Sequence, residues 1–314
     1  MKLTIERAAL LKALGHVQSV VERRNTIPIL SNVMMSAGDG RLAVTATDLD
    51  MEIADWVLAQ VEEAGQISAP AHTLYEIARE LPDGADVWLS HTSDDPRLEI
   101  RAGRSRFNLP VLPAGDFPMM SSEGLSEPIS IDTADVIRLI DKTRFAISTE
   151  ETRYYLNGLY LHLVMEDGVQ KLRAVATDGL RLALAEMRLP ASFPDGVIIP
   201  RKTVIEARRL MDDADETLAL SVSAQKVRFD FGHTALTSKV IDGSFPLYDR
   251  VIPPENKRVM QLDNAAFAAA VRRVATISTE HSRAVRLSIE PGRMTLSVRN
   301  TDAGVQYVLV PMRV

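Results

Sequence analysis

The chain has 314 residues, 46% hydrophobic and 25% charged, with 16 Gly, 16 Pro and a formal net charge of −6. That length suits two or three domains, and the composition excludes a disordered chain, a collagen and a disulfide scaffold. Cysteine is absent, which excludes thiolate catalysis, Cys-ligated zinc, iron–sulfur clusters and disulfides.

No apolar run reaches the ~18 residues of a membrane span, and the start, Met1 to Arg7, lacks a signal-peptide core. A cytoplasmic protein is therefore expected. From the N-terminus, Leu10, Ala13, Leu14, Val17 and Val21 recur at helical spacing and predict a helix within 6–24. A second helix is expected from Pro70, with Leu74, Ile77, Ala78 and Leu81 on its apolar face; proline is tolerated in a first turn. Short strands follow at Val87-Trp88-Leu89 and Leu98-Glu99-Ile100. Beyond a polar, Pro-containing break at Ser121 to Pro128, Val136, Ile137, Leu139 and Ile140 mark a third helix, and Leu159 to Leu163 alternate as a strand. Pro200 opens a fourth helix, and Leu218-Ala219-Leu220 and Val227-Arg228-Phe229 read as strands. After a second break at Pro253 to Lys257, Phe267, Ala270, Val271 and Val274 mark a fifth helix. Strands at Val285 to Ile289 and Val305 to Val310 close the chain.

The elements repeat. Leu42-Ala43-Val44-Thr45-Ala46-Thr47-Asp48 resembles Leu172-Arg173-Ala174-Val175-Ala176-Thr177-Asp178, 130 residues on. Pro70 matches Pro200 at the same offset, Gly115-Asp116-Phe117-Pro118 matches Gly243-Ser244-Phe245-Pro246 at 128, and Ile147-Ser148-Thr149-Glu150 matches Ile277-Ser278-Thr279-Glu280 at 130. Such a period is too long for a solenoid and indicates a duplicated domain. The expectation is an α+β chain of three related domains, 1–125, 126–254 and 255–314. The third is short. Roughly 50 residues that the period demands are absent between Asn300 and Val305, through an internal deletion or because a stretch of the protein is missing from this sequence.

The charges are unevenly placed. The helical stretches 6–24, 71–80, 132–144, 201–211 and 264–273 carry 14 Lys/Arg against 8 Asp/Glu, while the rest of the chain carries 22 against 34. Basic residues are good helix formers, and a solvated outer face is one reading. A helix-lined basic surface for a polyanion, held by its phosphates, is the other. Only 16 aromatic residues are present, and no recognition-helix or zinc-finger spacing occurs, so base-specific readout is not indicated.

Catalytic signals are weak. Asp48, Asp50 and Glu52 alternate and would share one strand face able to hold a hard metal ion. Repeat two reads Thr177-Asp178-Gly179-Leu180-Arg181-Leu182 and does not keep that pattern. The histidines, at 16, 72, 91, 162, 233 and 281, never fall at metal-ligand spacing, and neither a P-loop nor a dinucleotide fingerprint occurs. Gly103-Arg104-Ser105-Arg106 is basic and reads as a hairpin turn. No cofactor and no enzymatic activity is expected.

Several strings together resemble the bacterial DNA polymerase III β subunits, the sliding clamps. They are Met1-Lys2-Leu3-Thr4-Ile5-Glu6-Arg7, Thr26-Ile27-Pro28-Ile29-Leu30-Ser31-Asn32, Gly103-Arg104-Ser105-Arg106-Phe107, Arg153-Tyr154-Tyr155-Leu156-Asn157-Gly158, Val175-Ala176-Thr177-Asp178-Gly179, Thr237-Ser238-Lys239-Val240-Ile241-Asp242-Gly243 and Val310-Pro311-Met312-Arg313-Val314. The resemblance implies a head-to-tail homodimer: a ring of six similar domains with helices lining the hole and antiparallel sheets outside. Duplex DNA would pass through the hole and be retained without sequence preference. A polymerase tethered to the ring would rebind its template before diffusing away.

By the same resemblance, Arg24, Arg79, Arg138, Lys142, Arg201, Lys202, Arg208, Arg209 and Arg272 would face DNA. A pocket between the second and third domains would take short motifs of the DNA polymerase III catalytic subunit, the clamp loader, other polymerases and repair proteins. Its matching positions are Tyr155, Leu156, Thr177, Gly179, Arg181, Leu182, Pro246, Val251, Val308, Val310, Met312 and Arg313. Leu180 stands where the family often has a histidine. The dimer contact would join Phe107 and Leu109 to the Ile277 region. Two other readings compete: a metal-dependent hydrolase using Asp48, Asp50 and Glu52, and a monomeric peptide-binding relic that has lost its ring.

Overall fold

The structure, a computed structural model, describes residues 1–23, 26–189, 193, 196–253, 259–276, 284–300 and 304–311; for 299–311 only the backbone is described. The chain forms two compact units, Met1–Pro246 and Leu247–Val314.

The first unit holds two domains built alike. The first comprises β1 (Lys2–Glu6), α1 (Arg7–Val17), β2 (Asn32–Gly38), β3 (Arg41–Thr47), β4 (Met51–Leu58), β5 (Gln60–Glu63), β6 (Gly65–Pro70), α2 (Ala71–Glu80), β7 (Asp86–Ser90), β8 (Arg97–Ala102) and β9 (Ser105–Pro110). The central domain follows with β10 (Ile129–Asp132), α3 (Thr133–Thr143), β11 (Gly158–Glu166), β12 (Val169–Thr177), β13 (Leu182–Arg188), β14 (Val197–Pro200), α4 (Arg201–Leu210), β15 (Thr217–Val222), β16 (Lys226–Asp230) and β17 (Thr234–Lys239). The second unit contains α5 (Asn264–Ala275), β18 (Arg286–Glu290), β19 (Arg293–Asn300) and β20 (Gly304–Pro311).

The helices begin where the sequence provides a start. Asp132 and Asp263 accept hydrogen bonds from the amides of Ala134 and Ala266, at 2.8 and 2.7 Å, capping α3 and α5. Pro70 and Pro200 sit just before α2 and α4. α1 is shorter than its periodicity predicts and ends at Val17. Val20 and Val21 continue the apolar face as buried turn residues instead; their branched side chains are poor helix formers. The strands alternate as half-buried strands must, Val87 and Leu89 facing inward from β7 and Val227 and Phe229 from β16.

Every pairing in the four sheets is antiparallel. Their orders are β5-β1-β7-β8-β9, β10-β15-β16-β17-β4-β3-β2-β6, β13-β12-β11-β14 and β18-β19-β20. The eight-stranded sheet crosses from one domain to the other. Its joint is β17 against β4, in register from Thr234 opposite Asp55 to Ser238 opposite Met51. One apolar core runs through the unit, from Leu3, Leu10 and Leu74 to Leu139, Phe229 and Leu236.

The second unit has a small core of its own, Ala270 and Val274 of α5 with Met294, Leu296 and Val298 of β19. In the third repeat β20 pairs antiparallel with β19, Asn300 standing opposite Gly304. The strand expected to close a complete third domain therefore lies beside β19 as the third strand of a minimal sheet.

Candidate functional site

The repeated Thr-Asp string is a turn-forming device. In the first domain the Thr47 hydroxyl donates to Met51 O and accepts from Leu49 N, both at 3.0 Å. Asp48 Oδ1 accepts from the amides of Asp50 and Met51, at 3.0 and 2.7 Å. The central domain repeats each bond: Thr177 to Arg181 O at 2.7 Å, Gly179 N to Thr177 at 3.0 Å, and Leu180 N and Arg181 N to Asp178 Oδ1 at 2.9 Å. The third residue of each turn is left-handed, Leu49 at φ 77° and Gly179 at φ 86°. Asp178 is held below the usual carboxylate range, first by the Arg181 and Leu180 amides and then by the Arg181 side chain.

Around the second turn opens a cleft of about 410 Å³, lined by Arg144, Phe145, Ile147, Ser148, Thr149, Glu150, Arg153, Asp178, Leu180, Arg181 and Arg201. Gly179 permits its shape, since a Cβ there would lie 2.5 Å from Arg153 Nη1. Arg153 is fixed by Glu150, whose carboxyl it holds low. Arg181 is oriented by Asp178 at 2.8 Å and lies over the Phe145 ring, 5.5 Å from its centroid. Leu180 projects at 98% exposure. An apolar lip beside fixed guanidinium groups suits a peptide with apolar and carboxylate or carbonyl features.

Of the residues expected to line the docking pocket, Tyr155 is half-buried, its ring edge-on to Tyr154, and Leu156 is buried. The loop that leads to Pro246 passes against Tyr155, where a Cβ on Gly243 would lie 3.2 Å from the Tyr155 Cβ. Thr177, Gly179 and Arg181 form the turn, and Leu182 opens β13. In the second unit Val251 is 69% exposed, and Val308 and Val310 stand opposite Leu296 and Met294 in the backbone register. Met312, Arg313, Ile277 and Arg24 lie outside the described residues. Arg153 and Phe145 line the cleft but were missed by the sequence reading, although Arg153 adjoins Tyr154-Tyr155.

Asp48, Asp50 and Glu52 do not gather round a common point. Asp48 pairs with Lys202 and Asp50 with Lys239 at 2.9 Å. Glu52 is buried, which raises its pKa, and it accepts from Met120 N at 2.8 Å. Among the described residues no three carboxylates or histidines are placed to hold a metal ion.

Several of the expected DNA-facing cations take part in the domain joint. Arg209 donates to the His16 carbonyl at 2.7 Å and to Ser19 at 2.8 Å, tying α4 to the end of α1. Lys202 crosses the same joint to Asp48, whereas Arg208 stays within the central domain, linking Asp141 and Asp212. Beneath them His16 bridges Asp55 at 2.6 Å and Asp213 at 3.0 Å. Burial alone would lower the His16 pKa, but the two carboxylates outweigh it and raise it. Arg79 and Arg138 are exposed and engage helix neighbours, Arg138 also donating to Glu186 O at 2.9 Å. Lys142 on α3, Arg201 at the start of α4 and Arg272 on α5 are exposed. Arg23 is exposed as well, and the sequence reading did not select it.

Models of the DNA polymerase III beta subunit match the chain domain by domain: the N-terminal domain over residues 1–121, the central domain over 130–247 and the C-terminal domain over 249–307. A beta sliding clamp of Caulobacter vibrioides is 72% identical over 306 residues, covering 97% of this chain and 82% of that protein. The beta sliding clamp of Escherichia coli K12 is 37% identical over 304 residues, covering 96% and 81%. Among solved structures, a Caulobacter crescentus clamp with PEG bound superposes with a TM-score of 0.95 at 70% identity, covering 99% of this chain and 83% of that one. A Bartonella birtlesii clamp bound to griselimycin gives 0.93 at 44% identity, covering 99% and 84%. The chain belongs to the DNA polymerase III beta subunit family, the beta sliding clamps.

Proposed function

We propose that this protein is a processivity clamp: a ring of identical chains joined head to tail that encircles duplex DNA and tethers DNA polymerase III. The observation that carries this reading is family membership across all three domain models. The family is a non-catalytic accessory subunit, and the clamp contributes effective concentration rather than chemistry. Topological retention permits weak phosphate contacts, which let the ring slide. Lys142, Arg201, Arg272, Arg79 and Arg138 supply those contacts, and Lys202, Arg208 and Arg209 brace the layer that carries them. The protein works in the cytoplasm, with the DNA.

Tyr155, Leu156, Thr177, Gly179, Arg181, Leu182 and Pro246 form the central-domain side of the docking pocket for polymerases, the clamp loader and repair proteins. By family resemblance, Val251, Val308, Val310, Met312 and Arg313 contribute to docking as well. Two solved relatives support a ligand site of this kind, one with PEG at a β-motif tethering region and one with griselimycin. The test is retention on nicked circular DNA after loading. Linearising the circle releases a clamp; equal retention on linear and circular DNA overturns the reading.

A further inference from the structure

A buried cluster of titratable groups lies at the joint between the first and central domains. His16, one residue before the end of α1, is buried. Its ring stands between two carboxylates, with Nδ1 2.6 Å from Asp55 on β4 and Nε2 3.0 Å from Asp213. Asp213 belongs to the central domain, in the turn Met211–Asp213 that follows α4. The Nε2 contact is therefore a tie between domains.

The two carboxylates are not equivalent. Asp55 is 1% exposed, and among the described residues its Oδ1 has no partner, so the carboxylate depends on the imidazole. Asp213 is 51% exposed and has a second partner, Lys12 of α1, at 3.7 Å. Two further elements pack against the cluster. From β17 the Thr234 hydroxyl lies 3.5 Å from Nδ1. From α4 Arg209 donates to the His16 carbonyl, and Glu206 accepts from Ser19.

An imidazole can donate to both carboxylates only as the imidazolium, since the neutral ring has one N–H and one lone pair. Burial works against the charge, and Asp55 and Asp213 more than offset it, holding the imidazole above its ordinary 6.5. The other repeats carry a different group here. With the helices aligned on their apolar faces, Leu14 with Ile140 and Val271, His16 falls on Lys142 of α3 and Arg273 of α5, both exposed. Only the first repeat puts at this position a side chain whose ordinary titration lies near neutrality.

We infer that His16 is a proton-operated fastener between the two domains: charged, it holds the Met211–Asp213 turn to α1, and neutral, it keeps Asp55 and lets Asp213 go. Loss of the proton leaves a lone pair facing one carboxylate. Buried Asp55 cannot exchange its partner for water, whereas Asp213 can, so the remaining N–H stays on Nδ1. The Lys12–Asp213 pair is exposed and holds the turn weakly. The backbone bonds between β4 and β17 carry no titrating group, and Arg209 still grips the end of α1. Release therefore frees the turn without parting the domains. The inference concerns a joint within one chain and does not depend on ring closure or DNA.

The absence of native cysteine makes the test clean. Ala8→Cys on α1 and Asp212→Cys in the turn, both at exposed positions, are spin-labelled in the full chain. Their separation is read by double electron–electron resonance at pH 6 and pH 9. One short distance is expected at pH 6, and a longer, broader distribution at pH 9. Asp213→Asn in the labelled chain is expected to keep the short distance at both pH values, because an amide can accept from a charged ring and donate to a neutral one. His16→Gln, which has no proton to lose, is expected to give the same distribution at both. Asp213 is half-exposed, so its variant folds even where the His16 variant does not. A distance that does not change with pH in the parent labelled chain, or a change that persists in Asp213→Asn or His16→Gln, overturns the fastener.

Discussion

The two Thr-Asp turns share the bonds that close their backbones, yet they do opposite work. The first is packed into the joint, its Asp48 and Asp50 paired with Lys202 and Lys239 and its strand β4 covered by β17. The second stands over a cleft, with Leu180 at 98% exposure and β13 at the end of its four-stranded sheet. A turn that satisfies its own backbone is independent of its surroundings, so one local design serves as scaffold in one place and as a presentation site in another.

The joint is the place to break first. His16→Ala leaves the Asp55 carboxylate, only 1% exposed, without its cation. A loss of about 3–5 kcal/mol is expected in urea unfolding. Leu236→Ala empties a fully buried position opposite Ile53, at about 2–5 kcal/mol. An equivalent truncation on β13, Leu184→Ala, is expected to cost under about 1 kcal/mol in the same measurement, since that side chain is only half-buried.

The turns themselves separate next. Gly179→Ala meets both a left-handed backbone and Arg153, and a cost of about 1–3 kcal/mol is expected, with weakened binding of a clamp-motif peptide in calorimetry. Leu49→Gly in the turn at the joint relieves the same backbone preference and is expected to shift stability by less than about 1 kcal/mol.

His16 gives the joint a pH dependence near neutrality, whereas that of the open turn, through the lowered Asp178, lies at acid pH. The His16 pKa is raised in the folded chain above the ordinary 6.5, so folding favours the imidazolium. That contribution is complete below the ordinary value and is lost as pH rises through the raised one. Stability measured from pH 6 upward is therefore expected to fall across that window, and His16→Gln to flatten the fall. The smallest effect belongs to an exposed cation. Lys142→Gln is expected to leave stability unchanged and to reduce the salt dependence of DNA binding by about one unit of slope.

The repeat is written in the residues alone, because matching strings at one offset require matching turns and cores. The extents of α2, α3, α4 and most of α5 were legible from apolar spacing and from the Pro and Asp residues at their starts. The hydrogen bonds of the second turn give no sign of a docking role, which only family resemblance implies, since Thr177 and Asp178 act on neighbouring amides that any turn possesses. Which basic residues are spent on packing depends on the folded contacts: Arg209 looks like any helical arginine until its guanidinium is seen on the His16 carbonyl. Those contacts also decided that α1 ends at Val17 and that β20 joins β19. Periodicity reports which face of an element is apolar. Which partner covers that face, and which edge stays open, depends on contacts between residues far apart in the chain, and no local pattern records them.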